Sequence, residues 1–148
     1  MIDQPPTNAD RSRVDRDHVE LLAVFHFVGA GLALLAIGGV AAHYSIMHVV
    51  LENPTFWAKS HQPPPPEFIK TILMIFYLIF GAWFLTSLVL NLLSGIFLRA
   101  RKYRIFSLIV AGLNCLHFPL GTVLGVFTFV VLLRNSVREM YEAEMLRH

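Results

Sequence analysis

The chain has 148 residues, of which 55% are hydrophobic and 15% charged, with a formal net charge of +2 and a single cysteine. Soluble domains carry about 45–50% apolar residues, so the composition points away from a soluble globule. The small net charge gives no electrostatic ground for a nucleic-acid partner, and one thiol, Cys115, rules out an intrachain disulfide.

Residues 1–18 read as a polar, cytoplasmic tail containing Pro5-Pro6, Arg11, Arg13 and Arg16, with too little apolar surface to offset the cost of ordering. Three stretches then lack Asp, Glu, Lys and Arg altogether: Leu21 to Leu51, Thr71 to Leu98 and Ile105 to Leu133. Each exceeds the roughly 20 apolar residues that a helix needs to cross hydrocarbon. In lipid the backbone must satisfy its own hydrogen bonds, and no period-2 alternation marks barrel strands, so these are predicted helices. The first, over about 19–50, opens on Asp17 and Glu20, acids that suit the positive end of a helix dipole. The five acids before it (Asp3, Asp10, Asp15, Asp17, Glu20) and its length argue for an uncleaved anchor rather than a signal peptide.

Asn53-Pro54 ends that helix, and Pro63 to Pro66 predict a stiff polyproline II segment within an outer loop over 52–66. Phe56 and Trp57 suit headgroup depth. The second helix, 67–98, carries Phe76, Phe80 and Phe84 on one face, a packing or lipid-facing stripe. Arg99, Arg101, Lys102 and Arg104 follow without an acid between them. Short basic loops stay cytoplasmic, so these four are the topology-determining residues.

The last apolar run divides at Pro119, because proline disfavours the helical conformation at the residue before it and Gly121 can supply a turn. It is predicted as a hairpin with helices over 100–117 and 120–134 and with Asn114, His117 and Pro119 at its turn. The fold class is thus an all-α, polytopic membrane helix bundle of four hydrophobic helices, with three transmembrane helices as the alternative. Four crossings leave both termini and the basic loop on one side, whereas three would export the tail. Residues 135–148 form an amphipathic tail in which Val137, Tyr141 and Met145 recur at helical spacing.

The run Phe118-Pro119-Leu120-Gly121-Thr122-Val123-Leu124-Gly125, continuing to Leu133, resembles the C-terminal signature of a family of small, uncharacterised bacterial inner-membrane proteins. His18 to Phe27 resembles the start of that group's first helix. The resemblance implies a multi-helix fold in a bacterial inner membrane and no known activity, and it adds no catalytic residue.

Histidine carries the remaining chemistry. On four crossings His43, His48, His61 and His117 fall near the outer face, beside Met47 and Cys115, a ligand set suited to copper(I) or zinc. The spacing of His43 and His48 puts them on different helix faces, and no HxxxH or CxxC is present, so solvated interfacial rings are the simpler reading. His26 and His117 lie at unmatched depths for a haem. His26 is read as a neutral residue bonding another helix through Asn91 or Ser94, and Asn114 as a clasp for the hairpin. Small residues at Gly29, Ala33 and Ala36 and at Gly121 and Gly125 predict two close-packing faces, paired with each other. The absence of ionic groups inside the apolar runs, and of a nucleophile constellation or phosphate loop, leads to a non-enzymatic protein with a structural, accessory or assembly role. No cofactor is expected. Its partners are the lipid bilayer and a homo-oligomer or larger membrane complex. The alternatives are a small oligomeric channel or transporter subunit, lined by His26, Asn91, Asn114, Thr122 and Thr128, and a metal- or haem-binding protein.

Overall fold

The computed structural model describes residues 8–61, 63–117 and 119–146. Pro5-Pro6 of the tail and Phe118 of the C-terminal signature lie outside these described residues. The fold is all-α, with six helices among them: α1 Asn8–Glu52, α2 Pro54–Ser60, α3 Glu67–Arg99, α4 Arg104–Asn114, α5 Leu120–Leu132 and α6 Asn135–Met145. α1 and α3 are each long and apolar enough to cross a membrane. The chain divides into two compact units, one of Met1–Ala30 with Val89–His148 and one of Gly31–Leu88.

α1 begins at Asn8, about ten residues before the expected start, so part of the polar tail is helical. The acids and arginines there give no apolar periodicity, but they are compatible with a helix once tertiary contacts hold it. Asp15 is buried, and its carboxylate lies 3.6 Å from Arg134 Nη1. Val19 and Leu22 enter a core cluster with Leu98, Val131, Leu132, Val137 and Tyr141.

The expected break at Asn53-Pro54 is present, and the short helix α2 follows it within the expected outer loop. Asn53 Oδ1 accepts from the backbone N–H of Thr55 and Phe56, and Pro54 occupies the first turn. That is an N-cap followed by proline, a start signal as much as a stop signal. His61 closes α2 in the left-handed region at φ 56°.

The last apolar run forms the predicted hairpin, but with shorter arms than expected. α4 and α5 have 11 and 13 residues, which at about 1.5 Å per residue span roughly 16 and 20 Å. Neither arm alone matches a hydrocarbon core of about 30 Å. α4 starts at Arg104 rather than near 100, because Ala100, Arg101 and Lys102 fold back onto Ile96, Leu98 and Phe97 carbonyls as a C-terminal cap of α3. Arg101 and Tyr103, both at φ 52°, take the left-handed conformations this reversal needs. α5 and α6 are separated by a 73° bend, which turns the amphipathic tail away from the hairpin axis.

Candidate functional site: a buried polar seam and a basic end

Within the first unit the interior is not uniformly apolar. His26 of α1, Asn91 and Ser94 of α3, Ser107 and Asn114 of α4, and Thr128 of α5 are all buried. Asn91 and Ser94 share a face of α3, as do Ser107 and Asn114 on α4, because their spacings are near whole helical turns. The centre of the seam is a reciprocal amide pair. Asn91 Nδ2 donates to Asn114 Oδ1 at 3.1 Å, and Asn114 Nδ2 donates to Asn91 Oδ1 at 2.8 Å. Asn114 is expected to clasp the hairpin; its side chain instead joins α4 to α3, through the same Asn91 that is expected as a partner of His26.

His26 itself is wholly buried, and its Nδ1–H donates to the Leu22 carbonyl of its own helix at 3.0 Å. This corrects the expected bond to another helix: a carbonyl four residues back lies within reach of the ring without requiring any register. The antiparallel register of α1 and α3 still brings His26 level with Ser94. A methyl group built on Gly29 would stand 3.4 Å from Asn91 Oδ1, and one on Gly95 would stand 2.9 Å from the Phe27 ring. Glycine at 95 is what lets that ring lie against α3. Among the described residues, His26 Nε2, Ser94 Oγ and Ser107 Oγ are buried without a hydrogen-bond partner.

The close-packing glycines are placed differently from expectation. A Cβ on Gly121 would collide with the Asn114 carbonyl and His117 Cβ, and one on Gly125 with the Ala111 carbonyl and Cys115 Sγ. Gly121 and Gly125 therefore seat α5 on α4, inside the hairpin, rather than on the small face of α1. Gly29 packs on Asn91 and Leu124, Ala33 is buried and Ala36 is half-buried. The turn is closed by Gly121 N–H donating to His117 O at 2.7 Å and Thr122 Oγ1 donating to Cys115 O at 2.9 Å, with Pro119 as the N-cap of α5.

The proposed histidine ligands do not assemble. His43 and His48 are exposed on α1; Tyr77 OH lies 2.7 Å from His43 Nδ1, and Tyr44 contacts the rings of both His48 and Tyr77. His61 Nδ1 lies 3.1 Å from Lys59 O. His117 belongs to the other unit, half-buried in the hairpin turn. Among the described residues no group of three or more His, Cys, Asp or Glu is arranged to hold a metal.

The basic segments meet at one end of the first unit. Arg104 Nε donates to Leu132 O at 2.8 Å, and Arg134 Nη1 lies 3.4 Å from His18 Nδ1 as well as beside Asp15. Arg99 and Lys102 are exposed and Arg101 is half-buried. Tyr141 of α6 is buried against this end, and its hydroxyl has no hydrogen-bond partner among the described residues. Burial pushes the Tyr141 phenol up to about 12, while the charges of Arg101 and Arg104 act in the opposite direction. A phenol with a raised folded pKa keeps its proton longer when folded. Stability is thus expected to be unaffected by this group below the unfolded value of about 10 and to fall as pH rises from there towards the folded value. Melting curves in detergent check this: Tyr141→Phe should flatten the alkaline slope, and an unchanged slope would assign it to other groups.

No family model matches the chain, and no curated protein or solved structure is significantly similar to it.

Proposed function

We propose that the chain is a non-enzymatic integral membrane protein of the bacterial inner membrane with a structural, accessory or assembly role. The observation that carries this reading is the Asn91–Asn114 pair. The most polar side chains of the apolar segments are bonded to one another, which suits a clasp that fixes helices better than a surface that handles a substrate. Both termini are placed in the cytoplasm. Support comes from the basic residues around Asp15, Arg104 and Arg134, which gather at one end of the first unit, since short basic segments are retained on that side. The shortness of α4 and α5 suits a hairpin that enters and leaves the bilayer from the same face, and this keeps α6 with the basic loop.

The test is the set of proteins that copurify in mild detergent, compared between the native chain and Asn114→Leu. A stoichiometric membrane partner or self-assembly lost with the clasp is the expected result; a native chain that purifies as a lone monomer would overturn the role. Reporter enzymes fused to the C-terminus should be active only as cytoplasmic reporters, and activity of a periplasmic reporter would reverse the topology. A second reading, a channel or transporter subunit, is favoured by one observation: His26 Nε2, Ser94 Oγ and Ser107 Oγ are buried without partners. Proteoliposomes should show no ion flux above that of empty vesicles. Flux abolished by His26→Leu would replace the first reading with the second.

A further inference from the structure

We propose that the turn between α3 and α4, together with Tyr141 of α6, is a binding site for the phosphate group of an anionic phospholipid. Four observations converge on it. α4 starts at Arg104 with Tyr103 as N-cap, and no side chain caps it. Phe106 N–H donates to Tyr103 O at 2.9 Å; ahead of it, helix geometry leaves the N–H groups of Arg104 and Ile105 without intrahelical partners and puts the positive end of the dipole there, an arrangement that favours phosphate.

The second observation is charge. Arg99, Arg101 and Lys102 form no ion pair with a carboxylate among the described residues, whereas Arg134 pairs with Asp15 and Arg138 with Glu142. Arg104 is anchored through Nε to Leu132 O, which fixes the stem of its guanidinium while the terminal nitrogens keep their donors.

The third is Tyr141. The residue is 4% exposed, and its hydroxyl is buried without a partner among the described residues. Its ring packs in the cluster that contains Leu98 and Leu132. Leu98 O accepts from Arg101 N, and Leu132 O accepts from Arg104 Nε, so the phenol and both guanidinium-bearing residues are tied to the same two leucines. The charges of Arg101 and Arg104 both act on this phenol, and an anion with several acceptor oxygens accepts from a hydroxyl and from guanidinium groups together.

The fourth is backbone conformation. Arg101 and Tyr103 are both held at φ 52°. Non-glycine residues adopt this region at a cost, and such positions persist where the surroundings over-determine them. Here the reversal turns the loop back to cap α3. Tyr103 is 68% exposed, and its ring packs on Phe97 of α3. An aromatic ring of this kind suits the headgroup layer, beside the acyl chains of a lipid whose phosphate sits at the α4 start. That position favours a lipid over a free anion, and juxtamembrane basic clusters attract anionic headgroups in the same way.

The experiment is native mass spectrometry of the full chain released from detergent after titration with phosphatidylglycerol or phosphatidylcholine. The native chain should retain one phosphatidylglycerol and no phosphatidylcholine, and an excess of inorganic phosphate should not displace it. Arg101→Gln should weaken retention about tenfold, and Tyr141→Phe by a smaller factor, since charge-assisted bonds are roughly twice as strong as neutral ones. Lys59→Gln, on exposed α2, should leave retention unchanged. If Arg101→Gln lowers the melting temperature, Tyr141→Phe carries the test, because it removes only the donor. Equal retention of both lipids, equal loss with Lys59→Gln, or unchanged retention in both Arg101→Gln and Tyr141→Phe would overturn the site. Displacement by inorganic phosphate would overturn its assignment to a lipid. None of these outcomes depends on the structural role proposed above.

Discussion

Gly125→Leu is expected to open the hairpin. A side chain at this position meets the Ala111 carbonyl and Cys115 Sγ. The carbonyl belongs to the α4 backbone, so it cannot rotate away as a flexible side chain would. α5 must then move off α4, and with it the turn bonds from Gly121 N–H to His117 O and from Thr122 Oγ1 to Cys115 O. Overpacking usually costs about 1–3 kcal/mol, and a backbone obstacle places this change at the upper end, about 3 kcal/mol or more. The measurement is thermal melting in detergent, paired with maleimide labelling of the half-buried Cys115, which should become faster as the arms separate. Gly38→Leu and Gly81→Leu are the controls. A Cβ at either meets nothing within 4 Å, so both should stay within about 0.5 kcal/mol of the native chain. If Gly125→Leu behaved like these two, the hairpin would not depend on close helix approach.

The same residues show what a reader of the sequence can and cannot recover. The apolar runs, the stops at Asn53-Pro54 and Pro119, and the amphipathic spacing of Val137 and Tyr141 were all legible, because each depends on a residue and its near neighbours. Partner choice was not. Gly121 and Gly125 were matched with Gly29, Ala33 and Ala36 because both surfaces are small, yet the structure gives them to α4. The arm that precedes them in the chain is joined by a turn of only a few residues, so little loop entropy opposes that pairing. Helix length was not legible either. The first arm is expected from about residue 100, whereas the cap of α3 consumes Ala100 to Lys102 and α4 starts at Arg104. The start of α1 was hidden for a different reason. Asp15 meets Arg134, a residue more than a hundred positions away, and no local pattern announces that contact. Of the candidate sites, Asn114 was visible as a polar residue at a turn but its partner on α3 was not, while Tyr141 needed the bend after α5 to reach the core with Leu98 and Leu132.

Asn91→Leu and Asn114→Leu should each destabilise the first unit, and the two together should cost less than their sum. Each amide donates to and accepts from the other, at 3.1 and 2.8 Å, with both residues almost wholly buried. Removing one leaves the other's carbonyl and NH2 without that partner in an apolar setting, and lipid offers no replacement donor or acceptor. Hydrogen bonds between membrane helices are worth about 0.6 kcal/mol on average and up to about 1.7. Two bonds lost in a single substitution therefore predict a cost on the order of 1–2 kcal/mol. Replacing both residues removes the unpaired groups as well as the bonds, and two leucines can pack in their place, since loss of both partners is far less costly than loss of one. The double-mutant cycle, read from melting in detergent, should thus return a coupling on the order of 1 kcal/mol. Additivity within about 0.5 kcal/mol would mean that the two amides act independently. In that case the α3–α4 register would have to be held by Leu98, Val110 and Ala111, which are buried on the same helices, and the polar seam would no longer support a clasp.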